Sequence, residues 1–118
     1  MPDLLFIYGT LHPNRAPASI ASTARLLKPF AKATIQAHLY DLGPYPGIIL
    51  TDDPSATVPG ELFTLPEDPA VLARLDAYED FRPTDPTNSL FLRQRTPATL
   101  ADGTRHPCWV YIYNHPVT

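Results

Sequence analysis

The 118 residues carry nine Lys and Arg against twelve Asp and Glu, a net charge of −3, and 44% of them are hydrophobic. Scattered basic residues argue against a nucleic-acid partner, and a globular composition without a long apolar run argues against disorder and a membrane span. One domain over residues 1–118, with a single hydrophobic core, is the expectation.

The lone cysteine, Cys108, excludes an internal disulfide framework and suits a reducing compartment. No basic segment followed by an apolar stretch opens the chain, so a soluble, cytoplasmic protein is expected. The 15 prolines lie between apolar runs rather than in repeats, which makes them loop punctuation around short elements.

The opening "LLFIYGTL" predicts a central strand over Leu4–Tyr8 that stops at Gly9 and Thr10. Such a turn is either simple punctuation or a nest of backbone N–H groups able to hold an anion. "APASIASTARLL" (Ala16–Leu27) repeats Ile20, Ala24 and Leu27 at helical steps, with Pro17 near its start. Ala33–Leu42 alternates apolar and polar residues as a half-buried strand does. "YPG" at Tyr45–Gly47 reads as a turn into a strand at Ile48–Leu50. Thr57–Leu65 reads as a strand that Pro59 and Gly60 make an edge or bulged one.

Asp68 caps a helix over Pro69–Tyr78 with proline at its first position. "LFLRQRTPATL" and "CWVYIYN" supply the last strands. Six strands and two helices without alternation predict an α+β fold, a small β-barrel or curled sheet flanked by helices.

Glu79 is the most informative residue. On a helix of about 100° per residue, Val71, Leu72, Leu75, Tyr78 and Glu79 share an arc of about 120°, with Asp80 on the opposite side. A carboxylate on an apolar arc either finds donors or becomes neutral as desolvation raises its pKa. A raised carboxyl pKa suits acid–base chemistry near neutral pH. The alternative is a helix end that leans into solvent or pairs Glu79 with Arg82.

Other chemistry finds little support. His12, His38, His106 and His115 lack ligand spacing, so no metal is expected. His106 and Cys108 have no third group to orient them, and a buried structural cysteine is the simpler reading. Nucleotide-binding glycine motifs and a nucleophile elbow are absent.

In order along the chain, "YGTL" (8–11), "LYDLGPYPGI" (39–48), "PGELFTL" (59–65), "LDAYEDF" (75–81), "FLRQ" (91–94) and "CWVYIYN" (108–114) resemble the gamma-glutamylcyclotransferase-like family. Within that family the chain looks like the short bacterial members and gamma-glutamylamine cyclotransferase. The resemblance implies a small mixed β-barrel with peripheral helices, a cavity at one end and no cofactor. It implies that Tyr8, Gly9, Thr10 and Leu11 hold a glutamyl group through their backbone and that Glu79 is the acid/base.

Tyr45, Arg93 and Tyr111 join these as candidate substrate contacts, Arg93 matching the family's arginine; an ion pair for Arg93 and core packing for Tyr111 are their plainer roles. Asp80 departs from the glycine of many relatives, and Phe91 from a frequent tyrosine. The expected partner is a small gamma-glutamyl molecule, and the expected state a monomer or weak homodimer. Three functions compete: a cyclotransferase releasing 5-oxoproline, a non-catalytic binder of a small carboxylate, and a gamma-glutamyl-removing biosynthetic step.

Overall fold

A computed structural model of the protein describes residues 3–8, 16–43 and 46–116. Six strands and two α-helices follow one another as β1 (Leu4–Ile7), α1 (Ala18–Ala24), β2 (Lys28–Asp41), β3 (Pro46–Leu50), β4 (Thr57–Thr64), α2 (Pro69–Tyr78), β5 (Phe91–Leu100) and β6 (Arg105–Tyr113). A short 3-10 turn at Pro86–Asn88 precedes β5. None of the described helices is long and apolar enough to cross a membrane.

The sheet runs β3-β2-β4-β1-β6-β5, and β5 returns to β2 through Ala33↔Leu100 and Thr34↔Thr99. Five strands therefore close into a barrel, with β3 added as an outer flap on the far half of β2. The β1–β6 pair is parallel and the others antiparallel, so the barrel is mixed. Closure leaves the barrel strands without the open edges that invite aggregation.

Alternation along each strand divides the apolar residues between two cores. Phe6, Ile35, Leu62, Val110 and Ile112 fill the barrel. Leu5, Ile7, Phe63 and Tyr111 face outward and are covered by Ile20 of α1 and Val71 and Leu75 of α2. Each helix thus buries one stripe on the outer wall. The interior takes the opposite face of the same strands.

Three expectations are revised. β2 begins five residues earlier than the alternation suggested, because a register shift between Pro29 and Ala31 breaks the two-residue period there. β4 is not an edge strand: it lies between β2 and β1 along Glu61–Thr64, and the bulge belongs to β2. Pro59 pairs with Thr34 of β2, and because β1 stops opposite Glu61 its other side has no ladder partner among the described residues. Finally, α1 spans only Ala18–Ala24, with Pro17 as the extended residue before it. Its Ser and Thr content gives weak helix propensity, and the chain must turn into β2 by Lys28.

Candidate active site

Helix α2 is built as its sequence dictates. Asp68 accepts a hydrogen bond from Ala70 N at 2.9 Å, and Pro69 occupies the first turn. At the other end, Phe81 N donates to Asp76 O at 2.8 Å and Asp80 N to Ala77 O at 3.2 Å. That pair of bonds is a Schellman motif, whose first residue past the cap takes a left-handed conformation. Asp80 sits there with φ +55. A glycine would take this conformation without the side-chain cost that Asp80 bears.

Glu79 is the C-cap residue, with φ −81 and ψ 1, and it is partly buried. Burial pushes its carboxyl up from the ordinary value to about 7. The negative end of the helix dipole offers the ionised form no support. Of the two fates open to an acid on an apolar arc, the second holds: desolvation favours the neutral form.

Two tyrosines feel the charge of Glu79. Tyr8, the residue after β1, donates its hydroxyl to Tyr111 O at 2.8 Å and lies over Phe6 with ring centroids 6.4 Å apart. Burial raises its pKa first and the Glu79 charge adds to that, against a smaller opposing effect of the Ile48 backbone. Tyr111 on β6 donates its hydroxyl to Asp76 Oδ1 at 2.7 Å. Its pKa is raised by burial, then by Asp76, and in lesser part by Glu79. Tyr8 and Tyr111, joined by their hydrogen bond where the end of β1 lies beside β6, are thus within electrostatic reach of Glu79 at the end of α2.

Arg93 on β5 directs its guanidinium to Asp76, Nε to Oδ1 at 2.8 Å and Nη2 to Oδ2 at 3.3 Å. It also lies over the Trp109 ring at 4.3 Å, with Phe81 at 5.6 Å. Asp76 is buried, and sequence reasoning passed over it because it falls beside the apolar arc rather than on it. Its presence in "LDAYEDF", three residues before Glu79, was the available signal. Gly9, Thr10, Leu11 and Tyr45 lie outside the described residues.

Cys108 faces the barrel interior, with Sγ 3.3 Å from Thr96 O, and burial pushes its thiol up to about 12. A thiol so placed is inert. His106 contacts Thr104 and the ring of Phe30. Among the described residues no group of three or more His, Cys, Asp or Glu could hold a metal ion. A hollow of about 290 Å³ bounded by Asp3, Leu65, Glu67 and Leu72 lies at the N-terminal end of α2, away from Glu79.

The family model for gamma-glutamyl cyclotransferase, AIG2-like, matches residues 5–118. The chain belongs to this family. It is 33% identical over 113 residues to a Vibrio cholerae protein provisionally named a gamma-glutamylcyclotransferase, covering 96% of this chain and 84% of that one. Solved structures share the cyclotransferase-like fold at lower identity. An AIG2-like protein from Mus musculus superposes with TM-score 0.71 at 17% identity, over 98% of this chain and 80% of its own. YkqA from Bacillus subtilis gives 0.71 at 19% identity over 97% of this chain, which spans only 36% of that longer protein. The barrel with peripheral helices is the fold that this likeness carries.

Proposed function

We propose that the protein is a gamma-glutamyl cyclotransferase that releases 5-oxoproline from a gamma-glutamyl amine or peptide, with Glu79 as general acid/base. The observation that supports it most directly is the partly buried Glu79 carboxyl, raised to about 7 beside Tyr8. A group with that pKa both accepts and returns a proton near neutral pH.

The substrate's α-ammonium gives a proton to Glu79, and the freed nitrogen attacks the side-chain carbonyl carbon. A five-membered ring closes through a tetrahedral intermediate. As the C–N bond to the leaving amine breaks, protonated Glu79 donates to that nitrogen, and 5-oxoproline and the amine depart. The nucleophile belongs to the substrate, so the protein supplies orientation and proton transfer. In this reading Tyr8, Gly9, Thr10 and Leu11, with Tyr45, hold the glutamyl part, whose carboxylate or developing oxyanion suits backbone N–H groups. Arg93 and Tyr111, the remaining candidate substrate contacts, direct their side-chain polar atoms to Asp76.

The test is a panel of gamma-glutamyl amines and dipeptides assayed for 5-oxoproline, with Glu79→Gln alongside. A positioned acid/base contributes about 10²–10⁴-fold, so the variant is expected to lose at least about 100-fold in kcat. Equal rates for both proteins would remove Glu79 from the mechanism.

A further inference from the structure

One guanidinium holds both flanks of the Glu79 turn. Asp76, three residues before Glu79, gives both carboxylate oxygens to Arg93. Phe81, two residues after it, lies with its ring 5.6 Å from the same guanidinium. Asp76 Oδ1 also accepts from the Tyr111 hydroxyl, and the Tyr111 main-chain oxygen accepts from Tyr8. A continuous set of polar contacts therefore runs from β5 through α2 and β6 to the end of β1.

The Asp76 and Arg93 side chains are only 9% and 16% exposed. A buried ion pair is weak support for stability, since well-packed apolar replacements often do as well or better. The acid/base reading of Glu79 leaves this pair without a task of its own. We propose that Asp76 and Arg93 are positioning residues for Glu79, a mutually neutralised brace that fixes the turn carrying its carboxylate and keeps net charge away from it. This inference rests on the reading of Glu79 given above.

Among the described residues, the elements around Glu79 carry Tyr8 after β1, Tyr111 and Tyr113 on β6, Arg93 and Arg95 on β5, Arg74, Asp76 and Tyr78 on α2, and Asp80 with Arg82 in the following turn, with Arg105 and His106 at the far end of β6. Arg74 is exposed and Arg95 pairs with Asp3 at the surface. Tyr8 and Tyr111 stay neutral through burial. Asp80 and Arg82 pair at 3.1 Å in solvent, where screening weakens their effect. Asp76 and Arg93 remain, and their charges cancel only while both are present. Removing the Asp76 charge leaves a buried cation that favours ionised Glu79. Removing the Arg93 charge leaves a buried anion that disfavours it. A brace acting by shape alone would shift both variants in the same direction.

The experiment is a carbon-13 NMR titration of the Glu79 carboxyl in the whole chain, each variant first shown to be folded by its amide spectrum. Asp76→Asn is expected to lower the midpoint and Arg93→Gln to raise it, each by about 0.5 pH unit or more. The double variant should return to within about 0.3 of wild type, as a shared interaction requires. No movement, or movement of both single variants in one direction, overturns the proposal. If Arg93→Gln does not fold, Arg93→Lys keeps the charge but loses the bidentate fit. That variant should lose about 10-fold or more in kcat for 5-oxoproline release with KM changed less than about 3-fold, and an unchanged kcat refutes positioning. A wild type that releases no 5-oxoproline while the opposite shifts persist refutes the acid/base reading and leaves the brace standing.

Discussion

Replacing Glu79 with glutamine removes one ionisable group from the end of α2 and keeps its shape, so its effect on stability isolates the cost of the charge. The carboxyl titrates at about 7 in the folded protein, against an ordinary value of 4.5. The folded state therefore holds this proton more tightly than the unfolded chain does. Stability from the proton is fully present below about 4.5, declines as pH rises, and is gone above about 7. Each pH unit between the two values corresponds to about 1.4 kcal/mol, which gives wild type at most about 2.5 kcal/mol of loss between pH 5 and pH 8.

Glu79 is partly rather than fully buried, and solvent screening reduces that ceiling to about 1–2 kcal/mol. For a domain of this size, about 4 °C of Tm accompanies each kcal/mol. Scanning calorimetry should therefore show the Tm advantage of Glu79→Gln over wild type growing by about 4–8 °C from pH 5 to pH 8. All other titratable groups are common to both proteins and cancel in the difference. A Tm difference that is the same at pH 5 and pH 8 would show that burial does not tune this carboxyl, and the acid/base argument would lose its physical basis.

The same carboxyl must be ionised to accept the substrate's proton, so kcat/KM is expected to fall as pH drops below about 7 and to level off above it; a flat profile from pH 5 to pH 8 contradicts that. Asp80→Gly should raise stability by about 0.5–1 kcal/mol, because it relieves a left-handed side-chain conformation and gives up only an exposed ion pair. A lower Tm in denaturation scans would count against that account. Gly60→Ala should cost about 1–3 kcal/mol or more. The added Cβ would lie 2.4 Å from Phe6 Cζ and 2.7 Å from the main-chain oxygen of Ile7. That backbone leads directly into Tyr8, so urea midpoints and activity should fall together.

What could be read from the chain was what the chain decides locally. α2 is bounded by a capping aspartate and an N-terminal proline within one turn of each other, and it runs over the expected residues, Pro69–Tyr78. β1 is central as its unbroken apolar run implies, because both of its edges are paired. The first half of β2 was hidden by Pro29 and a bulge, both of which disturb the period on which strand reading depends. Asp76 was hidden for a different reason: its partners Arg93 and Tyr111 lie 17 and 35 residues away, opposite each other on the β5–β6 pair that tertiary packing lays against α2.

The site follows the same division. The partial burial of Glu79 was legible because its own helix sets its direction, whereas the contacts of Asp76 in the same helix come from β5 and β6. Desolvation can set a carboxyl's pKa only where nearby charges are few or cancel, since a single unpaired buried ion would outweigh it. The end of α2, packed on the outer wall of the barrel, gives the dryness. Burial sets the Glu79 carboxyl at about 7, and under the brace proposed above Arg93 against Asp76, 2.8 Å apart at the closest oxygen, keeps net charge from overriding it.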